Sequence, residues 1–243
     1  MRYTKTEQGN VVYIRDQYYI VNDLTCKLLN MYYEKKHISE IANELKIDEV
    51  EVQCLYQKIS DMIIEDQSYN EEIKFLQPLK VQWKITNRCN LQCKHCYEGE
   101  KCVEQLSDAQ IQSIFQKLLD SNILNLTITG GEALLVDNLA KYVSQCLEKG
   151  IMVNIFTNGI MLDNFIEQLG DVKNGNLLTF EVSVDGAQEE HDYIRGKGNY
   201  QKTIANIKCA IQKGYKIITN TVVNGITKNS LVSMMKELHA IGV

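Results

Sequence analysis

The chain has 243 residues, of which 44% are hydrophobic and 23% charged, and its formal net charge is −5. A chain of this size and composition buries a substantial core, so intrinsic disorder and collagen-like structure are excluded. No apolar run approaches the roughly 18 to 20 residues of a membrane span, and the opening MRYTKTEQGN lacks the apolar segment of a secretory signal. We therefore expect a cytoplasmic protein whose eight cysteines are thiols or metal ligands rather than disulfides.

The negative charge is concentrated in the first third of the chain. Residues 1–75 contain 9 Lys and Arg against 14 Asp and Glu, whereas residues 76–243 contain 17 of each. Because nucleic-acid binding depends on Lys and Arg side chains that neutralise phosphates, the acidic segment is not expected to bind DNA or RNA.

The first segment, 1–75, is predicted to be a separate small domain. Its alternating stretches VVYIRD and YYIVND indicate two strands of a hairpin, with Asp16 and Gln17 at the turn. The polar stretch 65–78 follows the last helical pattern and resembles a linker. The sequence therefore predicts a domain boundary near 70–78.

Three helices are predicted after this hairpin. Their apolar spacing places them at 23–35, 39–46 and 48–64. Ser39 is expected to begin the second helix and Asp48 to cap the third, because short polar side chains accept hydrogen bonds from the first backbone N–H groups of a helix. Strands followed by three short helices are typical of an α+β domain of the winged-helix type.

The remaining segment, 76–243, is predicted to form a parallel α/β sheet. Strand patterns alternate with amphipathic helical patterns, and the strands are placed at 81–86, 124–129, 152–157, 178–184 and 216–223. Such alternation favours parallel strands with right-handed crossovers, so functional residues are expected at the carboxyl ends of the strands. Five βα units are visible, and the chain ends at Val243, where a sixth strand would begin. The sequence is therefore expected to be a fragment that contains an incomplete (β/α)6 barrel.

Three cysteines follow the first of these strands at close spacing. Cys89, Cys93 and Cys96 form a C-x3-C-x2-C pattern in TNRCNLQCKHCY, which indicates metal binding rather than incidental thiols. A zinc site would need a fourth ligand, for which His95 or Cys102 is available, but zinc motifs usually pair two such knuckles. Three thiolates instead suit a [4Fe–4S] cluster in which one iron has no protein ligand.

The cysteine loop resembles that of the radical S-adenosylmethionine (radical SAM) superfamily, and the resemblance extends over about residues 79–243. It implies that the open iron binds the amino and carboxylate groups of S-adenosylmethionine (SAM). It also implies that an electron from the cluster cleaves SAM to a 5′-deoxyadenosyl radical, which abstracts hydrogen from the substrate. The family's position before the third cysteine is usually aromatic and lies near the adenine, and here it is His95. Flavodoxin or ferredoxin would be the electron donor.

A second part of the resemblance lies at the end of the second strand of this region. Thr129, Gly130, Gly131 and Glu132 are similar to the family's GGE motif, in which backbone groups and the acidic side chain hold the ammonium group of SAM. The resemblance implies this role for Gly130, Gly131 and Glu132, although glycines after a strand can also simply relieve backbone strain.

Further polar residues follow the later strands. In FEVSVDG, Ser183 and Asp185 alternate with apolar residues, and the resemblance implies that they line the SAM and substrate cavity. Arg195 in HDYIRGKGNY resembles the arginine that binds the SAM carboxylate. Asn158 and Asn220 are weaker matches and are interpreted as secondary contacts.

The other cysteines carry no motif. Cys26, Cys54, Cys146 and Cys209 lie among apolar neighbours in helical patterns and are predicted to be small buried hydrophobic residues.

The domain at 1–75 resembles the PqqD-like module that recognises leader peptides in enzymes acting on ribosomally made peptides. An exposed strand at 18–22 and the helix at 48–63 would then bind the leader through main-chain hydrogen bonds and a neighbouring groove. The resemblance therefore implies a SPASM-type radical SAM peptide maturase whose partner is a precursor peptide, with any further clusters in a C-terminal domain.

Three other interpretations remain open. A winged-helix regulator is disfavoured, because the helix segment DEVEVQCLYQKISDMI carries four acidic residues and one Lys. The first domain could also be a dimerisation module. Among enzymes, the alternative is a maturase of a folded protein that resembles the sulfatase-maturing enzymes, which would not need a leader-binding domain.

Overall fold

The computed structural model describes residues 3–6, 9–14, 17–34, 36–64, 78–97, 105–121 and 123–243. The chain divides into two compact units, Met1–Leu79 and Lys80–Val243, and each is described by itself. The predicted turn residue Asp16, nearly all of the predicted linker and Cys102 lie outside the described residues. No helix in the described part of the chain is both long and apolar enough to cross a membrane.

The first unit begins with an antiparallel sheet of three strands, β1 (Tyr3–Thr6), β2 (Gly9–Ile14) and β3 (Gln17–Val21). The order is β1-β2-β3, so the predicted hairpin corresponds to β2 and β3, and Val12 stands opposite Tyr19. Strand β1 was not predicted, because YTKT is short and mostly polar. Within the described sheet, β3 is an edge strand.

Three helices follow as predicted, α1 (Asp23–Tyr33), α2 (Ile38–Leu45) and α3 (Glu49–Ile64). Asp48 is confirmed as a cap, since its Oδ1 accepts a hydrogen bond from the backbone N–H of Glu51 at 2.6 Å. The prediction that Ser39 begins α2 is wrong. The helix starts one residue earlier and is capped by His37, whose backbone N–H in turn donates to the Glu40 carboxylate at 3.2 Å.

The second unit contains five parallel strands in sequential order, which confirms the predicted α/β fold and incomplete barrel. They are β4 (Lys80–Thr86), β5 (Asn125–Gly130), β6 (Met152–Thr157), β7 (Leu178–Ser183) and β8 (Lys216–Asn220). The helices are α4 (Asp108–Asp120), α5 (Leu139–Glu148), α6 (Leu162–Leu169), α7 (Gln188–Arg195), α8 (Asn199–Gln212) and α9 (Leu231–Ala240). All of these helices except α7 correspond to amphipathic patterns that predict helices at 110–120, with Ser107 as the cap, and near 137–149, 161–169, 200–213 and 229–240.

The core of the second unit lies between the sheet and its helices. Ile128, Ile155 and Phe180, from three neighbouring strands, are fully buried there. Alternate residues point to the opposite face of the sheet, where polar side chains are frequent, because successive residues of a strand alternate in direction. Packing on one face therefore leaves the other available for a site.

The cysteines outside the loop motif differ from one another. Cys26 and Cys146 are buried, as predicted. Cys54 is exposed, because Val52 is the residue that α3 buries in this turn. Cys209 is partly buried and donates a hydrogen bond to Asp163 Oδ1 at 3.2 Å, so the prediction of buried hydrophobic residues is wrong for these two.

Candidate functional site

A cavity of about 440 Å³ opens at the carboxyl ends of the parallel strands. Its volume is in the range of small-molecule sites. The residues that line it include Cys89, Cys93, His95, Cys96, Gly130, Gly131, Asn158, Ser183, Arg195 and Asn220. The structure thus brings together all predicted site residues except Glu132 and Asp185, which lie beneath the lining.

The cysteine loop, which follows β4, is held to α7 by its backbone. Lys94 donates its N–H to the carbonyl oxygen of Ile194 at 2.9 Å, and the Lys94 ammonium lies 3.1 Å from the centre of the Tyr193 ring. Within the loop, Cys96 donates its N–H to the Cys93 carbonyl at 3.0 Å. The last turn of α7, which sequence analysis missed, therefore positions the loop that carries the thiols.

Cys93 lies between the other two thiols and Arg195 in its electrostatic influences. Burial raises the pKa of the Cys93 thiol, the Arg195 guanidinium opposes this shift, and the thiols of Cys89 and Cys96 add to it. Arg195 Nη1 lies 3.9 Å from Cys93 Sγ. The shift disfavours the thiolate of Cys93, which is the form that binds metal, so a cation bound beside it would favour its ionisation.

The donor set fits an iron–sulfur cluster better than a single ion. No three His, Cys, Asp or Glu side chains of the described residues converge as ligands of one metal ion. In a cluster each thiolate binds a different iron atom, so three soft donors around one cavity are the required arrangement. Cys89, Cys93 and Cys96 are the residues that would hold it.

The glycine turn after β5 lies directly against the beginning of the cysteine loop. Gly131 donates its N–H to the Thr86 carbonyl at 2.9 Å, and Glu132 donates its N–H to the Arg88 carbonyl at 2.7 Å. A Cβ atom at Gly131 would stand 2.4 Å from the Arg88 oxygen, and one at Gly130 would stand 2.6 Å from the Thr86 oxygen. Both positions therefore require glycine, because the obstructing atoms belong to the backbone.

The carboxylate of Glu132 is buried, with 1% of the residue exposed, and it does not line the cavity. Its Oε1 accepts hydrogen bonds from Thr157 Oγ1 at 2.7 Å and from the Leu134 N–H at 3.1 Å, while Oε2 accepts from the Asn158 N–H at 2.7 Å. Burial raises the pKa of Glu132 although these donors oppose the shift. The carboxylate thus binds donors of the protein itself, and its predicted contact with the SAM ammonium stays a prediction.

Asn158 connects Glu132 to the cysteine loop. Its backbone N–H binds the Glu132 carboxylate, its Nδ2 donates to Asn90 Oδ1 at 2.7 Å, and its carbonyl accepts from Thr203 Oγ1 at 3.0 Å. Asn90 directly follows Cys89. The Asn158 side chain was predicted as a secondary contact, but the structure gives it a central place between two parts of the site.

Asp185 is also buried, with no measurable exposure, and it is not among the residues that line the cavity. Oδ2 accepts hydrogen bonds from Arg195 Nε at 2.6 Å and from His95 Nε2 at 2.8 Å, and Oδ1 accepts from the Val222 N–H at 2.8 Å. Burial alone would raise the pKa of Asp185, but the Arg195 charge and these donors outweigh it and lower the pKa. The expectation that Asp185 lines the cavity therefore differs from the structure, whereas Ser183 does line it.

A sequence comparison decides the family. The model of the Radical SAM superfamily matches residues 83–238, which contain every cavity residue named above. The chain belongs to the radical SAM superfamily. The family is one of enzymes that use a [4Fe–4S] cluster and SAM, so the cofactors predicted from the cysteine loop are confirmed at this level.

Two relatives of this radical SAM chain are named for a maturation and a biosynthesis. It is 31% identical over 164 residues to the sporulation killing factor maturation protein SkfB and 30% identical over 171 residues to the antilisterial bacteriocin subtilosin biosynthesis protein AlbA, both of Bacillus subtilis (strain 168). The matches cover 66% and 68% of this chain but 39% and 36% of those proteins. The chain thus spans well under half the length of these relatives.

A solved structure is similar in fold to this chain. Streptococcus suis SuiB bound to its precursor peptide SuiA has a TM-score of 0.67 and 16% identity, and the match covers 100% of this chain and 60% of SuiB. At this identity the likeness concerns the fold.

Some residues of this radical SAM site were not predicted. Asn90 and Val222 complete the contacts of Asn158 and Asp185, and Glu181 accepts a hydrogen bond from Asn220 Nδ2 at 3.0 Å. Asn90 stands within the cysteine motif and could have been noticed there. The others carry no sequence signal, because their roles depend on contacts between separate strands and loops.

Proposed function

We propose that the protein is a radical SAM maturase that modifies a ribosomally made precursor peptide. The observation that carries the proposal is the single cavity that holds the three cysteines, the glycine turn, Ser183 and Arg195. Relatives named for the maturation of a sporulation killing factor and for the biosynthesis of the bacteriocin subtilosin support the substrate class. We include the SPASM-type subclass in this proposal, since it rests on the resemblance to peptide maturases.

The residues divide into those that contact the cofactors and those that hold them in place. Cys89, Cys93 and Cys96 would bind the cluster, and the backbone of the glycine turn together with Ser183 and Arg195 would bind SAM. When both cofactors are bound, they supply the electron and the radical that activates a substrate C–H bond. Glu132 would act from beneath by fixing Asn158, because its carboxylate is buried, does not line the cavity and accepts the Asn158 N–H.

Arg195 has the charge and the position to bind an anionic group. Its side chain is 10% exposed and lines the cavity next to Cys93. A guanidinium that is largely shielded from solvent forms strong hydrogen bonds to carboxylates. We infer that it orients the carboxylate of SAM, and that flavodoxin or ferredoxin supplies the electron.

The first unit is proposed to be a PqqD-like domain, residues 1–75, that binds the leader part of the precursor. Strand β3 stands at an edge of the described sheet, and an extended peptide can add to such an edge by main-chain hydrogen bonds. The acidic composition of residues 1–75 argues against a DNA ligand. The leader would lie along residues 18–22 and the helix at 48–63.

The cofactor part of the proposal is tested by anaerobic reconstitution with iron and sulfide. We expect about four iron atoms per chain and the absorbance of a [4Fe–4S] cluster. Replacing Cys89, Cys93 or Cys96 by Ala should abolish the cluster. Cys54→Ala is the matched control, because Cys54 is exposed on α3 and should leave the iron content unchanged. One zinc per chain without iron uptake would contradict the proposal.

The partner part is tested with proline in strand β3 of the full chain. Successive residues of a strand direct their N–H groups to opposite sides, so Tyr19→Pro and Ile20→Pro should differ, and one of them should block leader pairing. Fluorescence anisotropy with a labelled leader, encoded beside the gene, measures the effect. Equal binding by both variants at native stability, or specific binding of duplex DNA, would overturn the leader-binding role.

A further inference from the structure

His95 is the position at which this chain departs from the aromatic residue expected before the third cysteine. Its ring is not held only by packing. His95 Nε2 lies 2.8 Å from Asp185 Oδ2, and the same oxygen accepts from Arg195 Nε at 2.6 Å. Because an ionised carboxylate only accepts hydrogen bonds, His95 is the donor and carries its proton on Nε2. The three side chains, called here the His95 clamp (His95, Asp185 and Arg195), therefore form one connected unit.

Asp185 is itself firmly placed. Its Oδ1 accepts from the Val222 N–H at 2.8 Å, and its backbone N–H donates to His191 Nδ1 at 3.2 Å. The residue has no exposed surface, and His191 is 1% exposed. A buried carboxylate with fixed partners at both oxygens cannot turn to accommodate a misplaced arginine. The orientation of Asp185 thus determines the orientation of Arg195.

The contact between Arg195 Nε and Asp185 leaves the terminal nitrogens of Arg195 on the cavity side. Nε is used by Asp185, whereas Nη1 lies 3.9 Å from Cys93 Sγ and Arg195 lines the cavity. An arginine held at Nε can present its terminal nitrogens to an anionic ligand in a constant direction.

We propose that His95 and Asp185 are positioning residues that lock the Arg195 guanidinium in the orientation that binds the carboxylate of SAM. His95 acts in this unit as a hydrogen-bond donor from the cysteine loop, in addition to any contact of its ring with the adenine. The inference rests on the proposed function. It adds that the cysteine loop and the carboxylate site are coupled through one buried aspartate.

The test compares two ligands, SAM and decarboxylated SAM, on the reconstituted protein by anaerobic calorimetry. In His95→Phe a planar ring remains but the donor is lost. We expect SAM affinity to fall about tenfold, as for loss of one hydrogen bond to a charged group, while affinity for the decarboxylated ligand changes little. A ring that serves only to stack on adenine would give unchanged affinity, or equal changes for both ligands.

Asp185→Asn provides an independent variant. Whichever way the amide is turned, one of the donors Arg195 Nε and Val222 N–H faces the NH2 group instead of an oxygen. We expect a ten- to hundredfold loss for SAM and a much smaller loss for the decarboxylated ligand. In the Asp185→Asn background, His95→Phe should then have little further effect, because the two residues act through one contact.

Asp192→Asn is the matched control. Asp192 is on the same helix, α7, and its carboxylate accepts hydrogen bonds from the backbone N–H of Gly198 at 2.8 Å and of Tyr200 at 2.9 Å. Its variant therefore disturbs folding without touching the clamp. It should lower stability without changing the preference between the two ligands. Wild-type protein that binds cluster but no SAM would overturn the proposed function and the clamp together. Wild-type protein that binds SAM, with clamp variants that lose both ligands equally, would overturn the clamp alone.

Discussion

Replacing Glu132 by Gln tests whether this residue acts by holding the site together. The native carboxylate accepts three hydrogen bonds, two at Oε1 and one at Oε2. Glutamine has a single acceptor oxygen. If that oxygen remains near Leu134, the NH2 group faces the Asn158 N–H at 2.7 Å, and if the amide is turned, the NH2 group faces the Leu134 N–H at 3.1 Å.

Either orientation leaves one backbone donor without an acceptor in a place that is 1% exposed. A buried donor that loses its partner costs about 1 to 3 kcal/mol. Removing the buried charge offsets part of this loss, since burial raises the pKa of Glu132. We expect a net loss of about 2 kcal/mol in the free energy of unfolding, which corresponds to a decrease in Tm of roughly 4 to 8 °C for a domain of this size.

The assay is thermal or urea unfolding of the protein without cofactors, followed by SAM binding after reconstitution. Glu237→Gln is the matched control, because Glu237 is exposed and accepts one hydrogen bond from the Tyr200 hydroxyl at 2.7 Å, which an amide oxygen can also accept. The control should change stability by less than about 0.5 kcal/mol. Unchanged or increased stability of Glu132→Gln, with SAM binding lost, would refute the positioning role and favour a direct contact.

Two further predictions concern the backbone and a buried histidine. Gly131→Ala should lower the free energy of unfolding by about 1 to 3 kcal/mol and prevent cluster assembly, because its Cβ would stand 2.4 Å from the Arg88 oxygen. Gly175→Ala is the control and should be tolerated, because its Cβ would meet Val172 at 3.5 Å. Burial, assisted by the Arg195 charge, lowers the pKa of His191 from 6.5 to about 4. The neutral ring is therefore favoured in the folded state, and the unfolded chain binds its proton first as the pH falls. Stability should decrease by about 3 kcal/mol between pH 6.5 and 4, and His191→Gln should show a smaller decrease in urea unfolding of the protein without cofactors. Equal slopes for the two proteins would contradict the assignment.

Much of the second unit could be predicted because its signals are local. A strand such as β6, with Val153 and Ile155 at alternate buried positions, has a pattern that stands in the sequence itself. The cysteine spacing and the glycine pair are equally local. Helix α7 was missed because QEEHDYIR is mostly polar and buries only His191 and Ile194. Strand β8 ends at Asn220 rather than near residue 223, because the chain leaves the sheet and Val222 donates to Asp185.

The orientation of the acidic residues could not be predicted. Glu132 and Asp185 stand at strand ends, where both a cavity-lining and a buried position are compatible with the pattern. The choice depends on partners far along the chain, since Asn158 is 26 residues from Glu132 and His95 is 90 residues from Asp185. A single sequence shows the side chains but not which donors meet them.

The burial of these two carboxylates has an electrostatic consequence for the cavity. Both carboxylates are held by hydrogen bonds inside the protein, Glu132 by backbone N–H groups and the Thr157 hydroxyl, and Asp185 by Arg195 and His95. Among the described residues, the titratable side chains that line the cavity are the three thiols, His95, Tyr97 and Arg195. Thiolates and a ligand carboxylate are both anionic, and a second exposed carboxylate beside them would oppose their binding by like-charge repulsion. Buried in this way, Glu132 and Asp185 hold the loops without adding a carboxylate to the cavity lining, while Asp185 still offsets part of the Arg195 charge through their contact at 2.6 Å.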